Sequence, residues 1–267
     1  MRPVGPRAVR TRRWPLWVVA LIGMGLPVAR AGAECLRREP GWLWNYEGTL
    51  GTAGRARMTL VIDGERVSGV YALAGSATDV ILTGRLTAGR MLVLEGRDAT
   101  GRRTVRLTGT FPTRDPSGRL GESPLTCDVI AGTWESLGTP TRVAVLFALQ
   151  DGTAGSLTHR YAALGVTDDA IINHTALRCW VALRDGDRRT MADLVAYPLT
   201  VVVGGRRIRL RTRAQFLARY EAIVTPRLRA AVLASVPRHL FVRDQGAMLG
   251  AGDIWIGATG RLVAINP

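Results

Sequence analysis

Asp253, in the run Gly250-Ala251-Gly252-Asp253-Ile254-Trp255, is an acid whose spacing to an aromatic residue could carry chemistry. A spacing of two puts it on the same strand face as Trp255. With Tyr220 the pair would form a carboxyl beside aromatic rings, where desolvation raises its pKa toward the range of a general acid or base. That is the chemistry of an isomerase or hydratase, with Asp253 moving the proton and Tyr220 donating a hydrogen bond. The competing arrangement packs Trp255 in the core and leaves Asp253 in an exposed turn. A second group is basic. Arg207, Arg209 and Arg211 alternate with Ile208 and Leu210, so the three guanidinium groups project from one strand face, flanked by Arg206 and Arg213. Spaced about 7 Å apart, they would grip a polyanion or a carboxylate-rich surface through bidentate hydrogen bonds. Otherwise they are the solvated face of an Arg-rich chain. The candidate ligand-binding residues are therefore Arg207, Arg209, Arg211 and Trp255.

Other chemistries find little support. The histidines His159, His174 and His239 are widely spaced, and no pair has the i,i+4 spacing of a helical metal site. Gly-x-Ser-x-Gly, a phosphate-binding loop and Cys-x-x-Cys are all missing. Asp185-Gly186-Asp187 opens like a calcium loop without its later ligands and reads as a turn between helices. No metal and no cofactor are expected. Cys179 shares a helical face with Ala176, Trp180 and Leu183 and reads as core packing. Cys35 and Cys127 are expected to pair as a disulfide in an oxidising compartment, clipping the mature N-terminus to the barrel wall.

The elements that must position these groups change character near residue 150. From Trp42 to Gln150 the pattern has period two. Val105, Leu107 and Phe111 face one way and Thr104, Arg106, Thr108 and Thr110 the other, and Met58, Leu60 and Ile62 alternate with Thr59, Val61 and Asp63. Turns at Asp63-Gly64, Ala88-Gly89 and Thr100-Gly101 make neighbouring strands antiparallel. A glycine followed two residues on by a bulky side chain recurs at Gly69/Tyr71, Gly84/Leu86, Gly109/Phe111 and Gly132/Trp134, which suits strands that coil sharply to close a small barrel. About eight strands fit, the number of an up-and-down barrel. This stretch resembles the lipocalin and avidin class of meander barrels, which implies small-molecule binding in the mouth. A barrel filled by its own side chains is the alternative. The Pro112–Pro124 loop would rim such a mouth or be a tolerated insertion.

Asp151-Gly152-Thr153-Ala154-Gly155-Ser156 reads as the start of a linker over 151–166. Thr167 is the expected N-cap of a helix reaching about Arg184, with a short helix over Thr190–Ala196 after it. Pro198–Val203 and Arg206–Leu210 form a hairpin around Gly204-Gly205. Thr212 caps a helix with Phe216, Tyr220 and Ile223 on one face, and Thr225-Pro226 starts another. Strands at Leu240–Val242, Ala247–Leu249, Ile254–Ile256 and Leu262–Ile265 close the pattern. This order resembles the nuclear transport factor 2 superfamily. Tyr197-Pro198-Leu199, Phe216-Leu217-Ala218-Arg219-Tyr220, Leu240-Phe241 and Gly250–Trp255 are similar to a motif set in exported bacterial proteins of that type. The resemblance implies an α+β cone, a curved antiparallel sheet wrapped on helices, in a superfamily holding both enzymes and non-catalytic modules.

Composition sets the frame. With 267 residues, 47% of them hydrophobic and 21% charged, the chain can bury a full core, which excludes general disorder and a small disulfide scaffold. The Arg-rich start (Arg2, Arg7, Arg10, Arg12, Arg13), the apolar run Trp14–Ala29 and the small residues Ala31-Gly32-Ala33 read as a signal peptide, 1–33, cleaved after Ala33. The apolar run is shorter than a spanning helix, so no transmembrane helix is expected in the mature protein. The expected domains are a barrel over 34–150 and an α+β domain over 167–267, and the expected compartment is the periplasm or the outside of the cell. The formal net charge is +15 and every basic residue is Arg. The excess of the mature chain lies mainly after residue 150, so an anionic partner belongs to the second half. Nucleic acid is disfavoured because no aromatic platform interleaves with the arginines. The sequence thus points to an exported non-catalytic binding protein for an unknown small molecule or anionic envelope component. The rivals are the Asp253 enzyme and an inhibitor or interaction partner of another envelope protein.

Overall fold

Strands β1 (Trp42–Leu50), β2 (Arg55–Asp63), β3 (Arg66–Leu73), β4 (Val80–Thr87), β5 (Met91–Arg97), β6 (Arg103–Thr110), β7 (Val129–Ser136) and β8 (Arg142–Ala154) pair in chain order and close on themselves as an antiparallel barrel. The computed structural model describes residues 41–51, 54–112, 128–139 and 141–267. The expected signal peptide, both cysteines of the expected disulfide and nearly all of the Pro112–Pro124 loop lie outside these residues. Period-two alternation fixes which side chains enter: Tyr46, Met58, Leu60, Leu82, Leu94, Leu107, Phe111 and Phe147 are all buried in one cluster. Tyr46 and Phe111 meet across it with ring centroids 6.5 Å apart. Side chains from all eight strands pack into this interior, so the barrel is a hydrophobic core in its own right.

The strand glycines have a steric reason. A Cβ on Gly84 would lie 1.9 Å from the Val93 carbonyl oxygen, and one on Gly132 would lie 2.3 Å from that of Thr108 and 2.5 Å from Gly109 Cα. Gly109 and Gly132 are direct partners in the β6–β7 register, so the two backbones approach where neither carries a side chain. The closing β8–β1 pair carries a bulge: Asn45 faces Asp151 while Tyr46 faces Leu149, leaving Gln150 as the extra residue. β8 runs to Ala154, through the residues expected to begin the linker. Gly152 is tolerated there because it lies against the Trp44 ring, and Gly155, just past the strand end, lies against Leu43.

After a single 3-10 turn at Ala162–Leu164 come α1 (Asp169–Asp185) and α2 (Arg188–Leu194). The side chain capping α1 is Asp168, one residue later than expected, and it accepts from Ala170 N–H at 2.8 Å. Gly186 ends the helix in the left-handed region, and Asp187 caps α2, so Asp185-Gly186-Asp187 is the expected helix-connecting turn. β9 (Leu199–Val203) and β10 (Arg206–Leu210) form the hairpin around Gly204 and Gly205, both with positive φ. The helix expected after Thr212 is two short ones, α3 (Arg213–Leu217) and α4 (Tyr220–Ile223), broken at Ala218-Arg219. Thr225 and Pro226 start α5 (Pro226–Leu233). β11 (Phe241–Arg243), β12 (Gly246–Leu249), β13 (Ile254–Ile256) and β14 (Leu262–Ile265) make a four-stranded antiparallel sheet. A second core, including Ile172, Leu183, Phe216, Leu228, Ile254 and Ile256, lies among these elements. Barrel and α+β region belong to one compact unit. No helix among the described residues is long and apolar enough to cross a membrane.

Candidate functional site

The Gly250–Asp253 turn delivers Asp253 into the structure, correcting the exposed-turn alternative: the residue is only 5% exposed. Its carboxylate accepts from Arg227 Nη1 at 3.0 Å and from the Ala251 N–H at 3.1 Å, while Asn266 N–H donates to the Asp253 carbonyl at 2.8 Å. Asp253 thereby ties the turn to α5 and to the chain's last residues. It lines a cleft of about 400 Å³ with Glu47, Arg55, Arg57, Ser235 and Met248. Tyr220 is elsewhere, packed edge-on to Phe216 at 6.0 Å under the Arg188 guanidinium, and burial raises its phenol pKa. Trp255 is buried, on the sheet face shared with Met248 and Ala264 and opposite the core-facing Ile254 and Ile256. Asp253 and Tyr220 do not line one site.

Arg207, Arg209 and Arg211 are all exposed, and none has an ion-pair partner among the described residues. The hairpin register places Arg207 beside Val202 and Arg209 beside Thr200, so both strands contribute to the outward face. Val202 is 51% exposed in the middle of it. Leu199, Val201 and Leu210 point the other way into the core. Of the arginines flanking the stripe, Arg206 is likewise exposed without an ion-pair partner among the described residues, whereas Arg213 is paired with Asp193.

Cys179 is buried, with its Sγ 3.7 Å from Met191 Sδ, and burial pushes its thiol up to about 12. Since the thiolate is the reactive species, a thiol reagent at pH 8 is expected to leave Cys179 unmodified in the folded protein and to label it in denaturant, read by mass spectrometry of its peptide.

Among the described residues, an extended polar network lies where the barrel wall meets the α+β region. Asp79, in the β3–β4 connection, accepts from Arg238 Nε at 2.6 Å and Arg160 Nη2 at 3.3 Å, and its Oδ1 is 2.8 Å from His239 Nε2. His239 Nδ1 is 3.1 Å from the hydroxyl of Thr59 on β2. Thr59 Oγ1 lies 2.7 Å from Asn45 Oδ1, and Asn45 Nδ2 lies 2.6 Å from Asp151 Oδ1. The β8 bulge is what brings Asp151 opposite Asn45. Arg57, on the same outer face as Thr59, donates to the His239 carbonyl at 3.1 Å and to Glu47 at 3.2 Å. Asp169 answers Arg160 and accepts from the Arg160 and Tyr161 N–H groups. The Tyr161 hydroxyl accepts from Leu240 N–H and donates to Asn173. His239 is held at φ +55°, a left-handed conformation that a non-glycine residue keeps only where its surroundings over-determine it.

Electrostatics follow from burial. Burial works to raise the Asp79 pKa, but the hydrogen bonds and charges of His239 and Arg238 outweigh it and hold the carboxyl well below the ordinary carboxylate range. Burial, reinforced by the Arg160 charge, pushes the His239 imidazole down to about 4. Burial also raises Asp151, against its Asn45 hydrogen bond.

No family model, curated protein or solved structure matches this chain. The site therefore rests on geometry alone. Hydroxyl, imidazole and carboxylate stand in the order of an acyl-transfer triad, yet Thr59 is 0% exposed and a substrate carbonyl has no approach to its hydroxyl. The junction is a fastening. Of its members, sequence reasoning noted His239 only as a widely spaced histidine and placed Thr59 only on the strand face opposite Met58, Leu60 and Ile62. The one local signal was that the outward residues of β1 and β2, Asn45, Glu47, Arg57 and Thr59, are polar groups capable of mutual hydrogen bonds.

Proposed function

We propose that this is an exported, non-catalytic binding protein whose partner is an anionic component of the cell envelope, taken up on the outward face of the β9–β10 hairpin. The observation carrying this reading is that the guanidinium groups of Arg207, Arg209 and Arg211 lie along one outward hairpin face, exposed and without an ion-pair partner among the described residues. Arg forms paired hydrogen bonds to phosphate or carboxylate oxygens, and the Val202 side chain between the arginines supplies an apolar contact. The barrel's packed interior favours a scaffold role over carriage of a ligand in its mouth. Its likeness to the lipocalin and avidin barrels, and that of the second half to the nuclear transport factor 2 cone, is read here as architecture. The signal peptide and the Cys35–Cys127 disulfide belong to the same reading, since both fit an oxidising compartment. The rival enzyme would need Asp253 free to exchange a proton, and its carboxylate is committed to Arg227 and Ala251.

Replacing all three arginines with Gln is expected to lower retention on a matrix of immobilised phosphodiester groups about tenfold or more at low salt. Wild-type retention weakens as salt rises. The unfolding midpoint should not move, because surface changes of this kind stay within about 0.5 kcal/mol. Equal retention of variant and wild type would reduce the face to a solvated surface.

A further inference from the structure

The β9–β10 hairpin turns through two residues, Gly204 and Gly205, with φ +56° and +75°. A two-residue turn of that kind makes Val203 and Arg206 a hydrogen-bonded pair, and along an antiparallel ladder such pairs alternate with non-bonded ones. Arg206, Ile208 and Leu210 therefore spend their backbone groups on β9, through their partners Val203, Val201 and Leu199. Arg207 and Arg209 fall in the intervening pairs, so their N–H and C=O groups point away from β9, along the far edge of β10. Among the described residues no strand pairs with that edge, and no hydrogen bond from elsewhere reaches the backbone of either arginine. The edge closes at Arg211, whose N–H donates to Gln215 Oε1 at 2.7 Å. The residues that present the free backbone are thus the ones that carry unpaired guanidinium groups on the outward face. Between them the half-buried Ile208 faces the other way, at the rim of the second core.

An open strand edge is a template for another strand, and charge decides which one. A second copy of β10 would set arginine opposite arginine, and like charges directly opposed repel. A phosphodiester polymer satisfies guanidinium groups but offers no N–H donors to the edge carbonyls of Arg207 and Arg209. An extended chain with acidic residues at alternate positions answers both. Paired antiparallel, each arginine exchanges two backbone hydrogen bonds with the acidic residue opposite it, and the two side chains meet on the outward face. The residue between the acids then falls beside Ile208, where an apolar side chain extends the core. We infer that β10 is a strand-addition site: an extended segment of another protein, with the pattern acid, apolar, acid, docks along its free edge as a third strand, which rests on the reading of this hairpin as an anion-binding face and names the partner as a polypeptide. Backbone pairing supplies affinity, and Arg207, Arg209 and Arg211 select for acidic side chains.

Amide hydrogen exchange of the full chain, read residue by residue by NMR, tests this with the end-blocked peptide Glu-Val-Glu-Val-Glu. In the free protein the Arg207 and Arg209 amides are expected to exchange quickly, while that of Ile208, bonded to β9, is protected. Saturating peptide should slow both arginine amides about tenfold or more. The same peptide N-methylated at its glutamates keeps every charge but loses the donors that reach the β10 carbonyls, and it should bind about tenfold more weakly. Arginine side-chain shifts without amide protection, or equal affinity of the two peptides, would overturn the strand addition and leave the anion-binding face standing, since charge alone then explains the contact. Failure of the peptide to bind where a phosphodiester polymer shifts the same arginines would do so too. Failure of both probes to shift Arg207, Arg209 and Arg211 would remove the strand addition and the anion-binding face together. Both peptides meet the unaltered protein, so no outcome depends on a variant that folds.

Discussion

Asp79→Ala is expected to cost about 3–5 kcal/mol, the range for removing one member of a buried ion pair. The carboxylate is shared by Arg238, Arg160 and His239, and no neighbouring acid can replace it, since Asp169 already answers Arg160 and Glu47 answers Arg57. Urea unfolding reads the loss as a lower midpoint. The same experiment on Glu95→Ala provides the contrast. Glu95 also serves two arginines, Arg103 and Arg106, but on the exposed barrel wall, where water takes over both partners and the midpoint should hardly move. The Asp79 effect also has a pH signature. Its carboxyl is held below the ordinary range in the folded state, so its contribution is present at neutral pH and lost as pH falls below that range.

Gly84→Ala should destabilise the barrel by about 3 kcal/mol, the upper part of the range for overpacking a well-packed site. The added methyl would lie 1.9 Å from the Val93 carbonyl and 2.9 Å from Leu94 Cα, both backbone atoms of the adjacent strand, so β4 and β5 must separate to admit it. Gly138→Ala makes the same chemical change where no atom lies within 4 Å, and it should stay within about 0.5 kcal/mol of wild type. A small loss at Gly84, equal to that at Gly138, would mean that strand coiling and not close approach explains the recurring glycines.

The barrel was legible because period two survives in single strands: Val105, Leu107 and Phe111 are buried where the alternation puts them, and the three glycine turns fall at strand ends. Helix caps were legible for a similar reason, since Thr212, Thr225 and Gly186 act within one turn of their own positions. Periodicity also misled. Phe216, Tyr220 and Ile223 recur at helical spacing across a break, so one stripe covers two short helices. The Gly-rich end of β8 read as a linker because its composition is that of a turn, while its pairing with β1 is supplied by a strand more than a hundred residues away. The junction was the least legible part. Alternation says which face of β2 enters the barrel and is silent on what covers the other face. Thr59 meets His239 from 180 residues away, and Arg57 meets its carbonyl from 182. Such pairing leaves no mark in any local window, and a threonine facing water is written like a threonine facing a histidine.

Arginine side-chain NMR of the folded protein, titrated with a soluble phosphodiester polymer at low salt, tests the binding role of the hairpin. The expected result is a shift of the Nε–Hε signals of Arg207, Arg209 and Arg211 in one saturable step that added salt reverses, with Arg57, Arg160 and Arg238 of the junction unmoved. Shifts confined to other arginines, or none in these three, would contradict it.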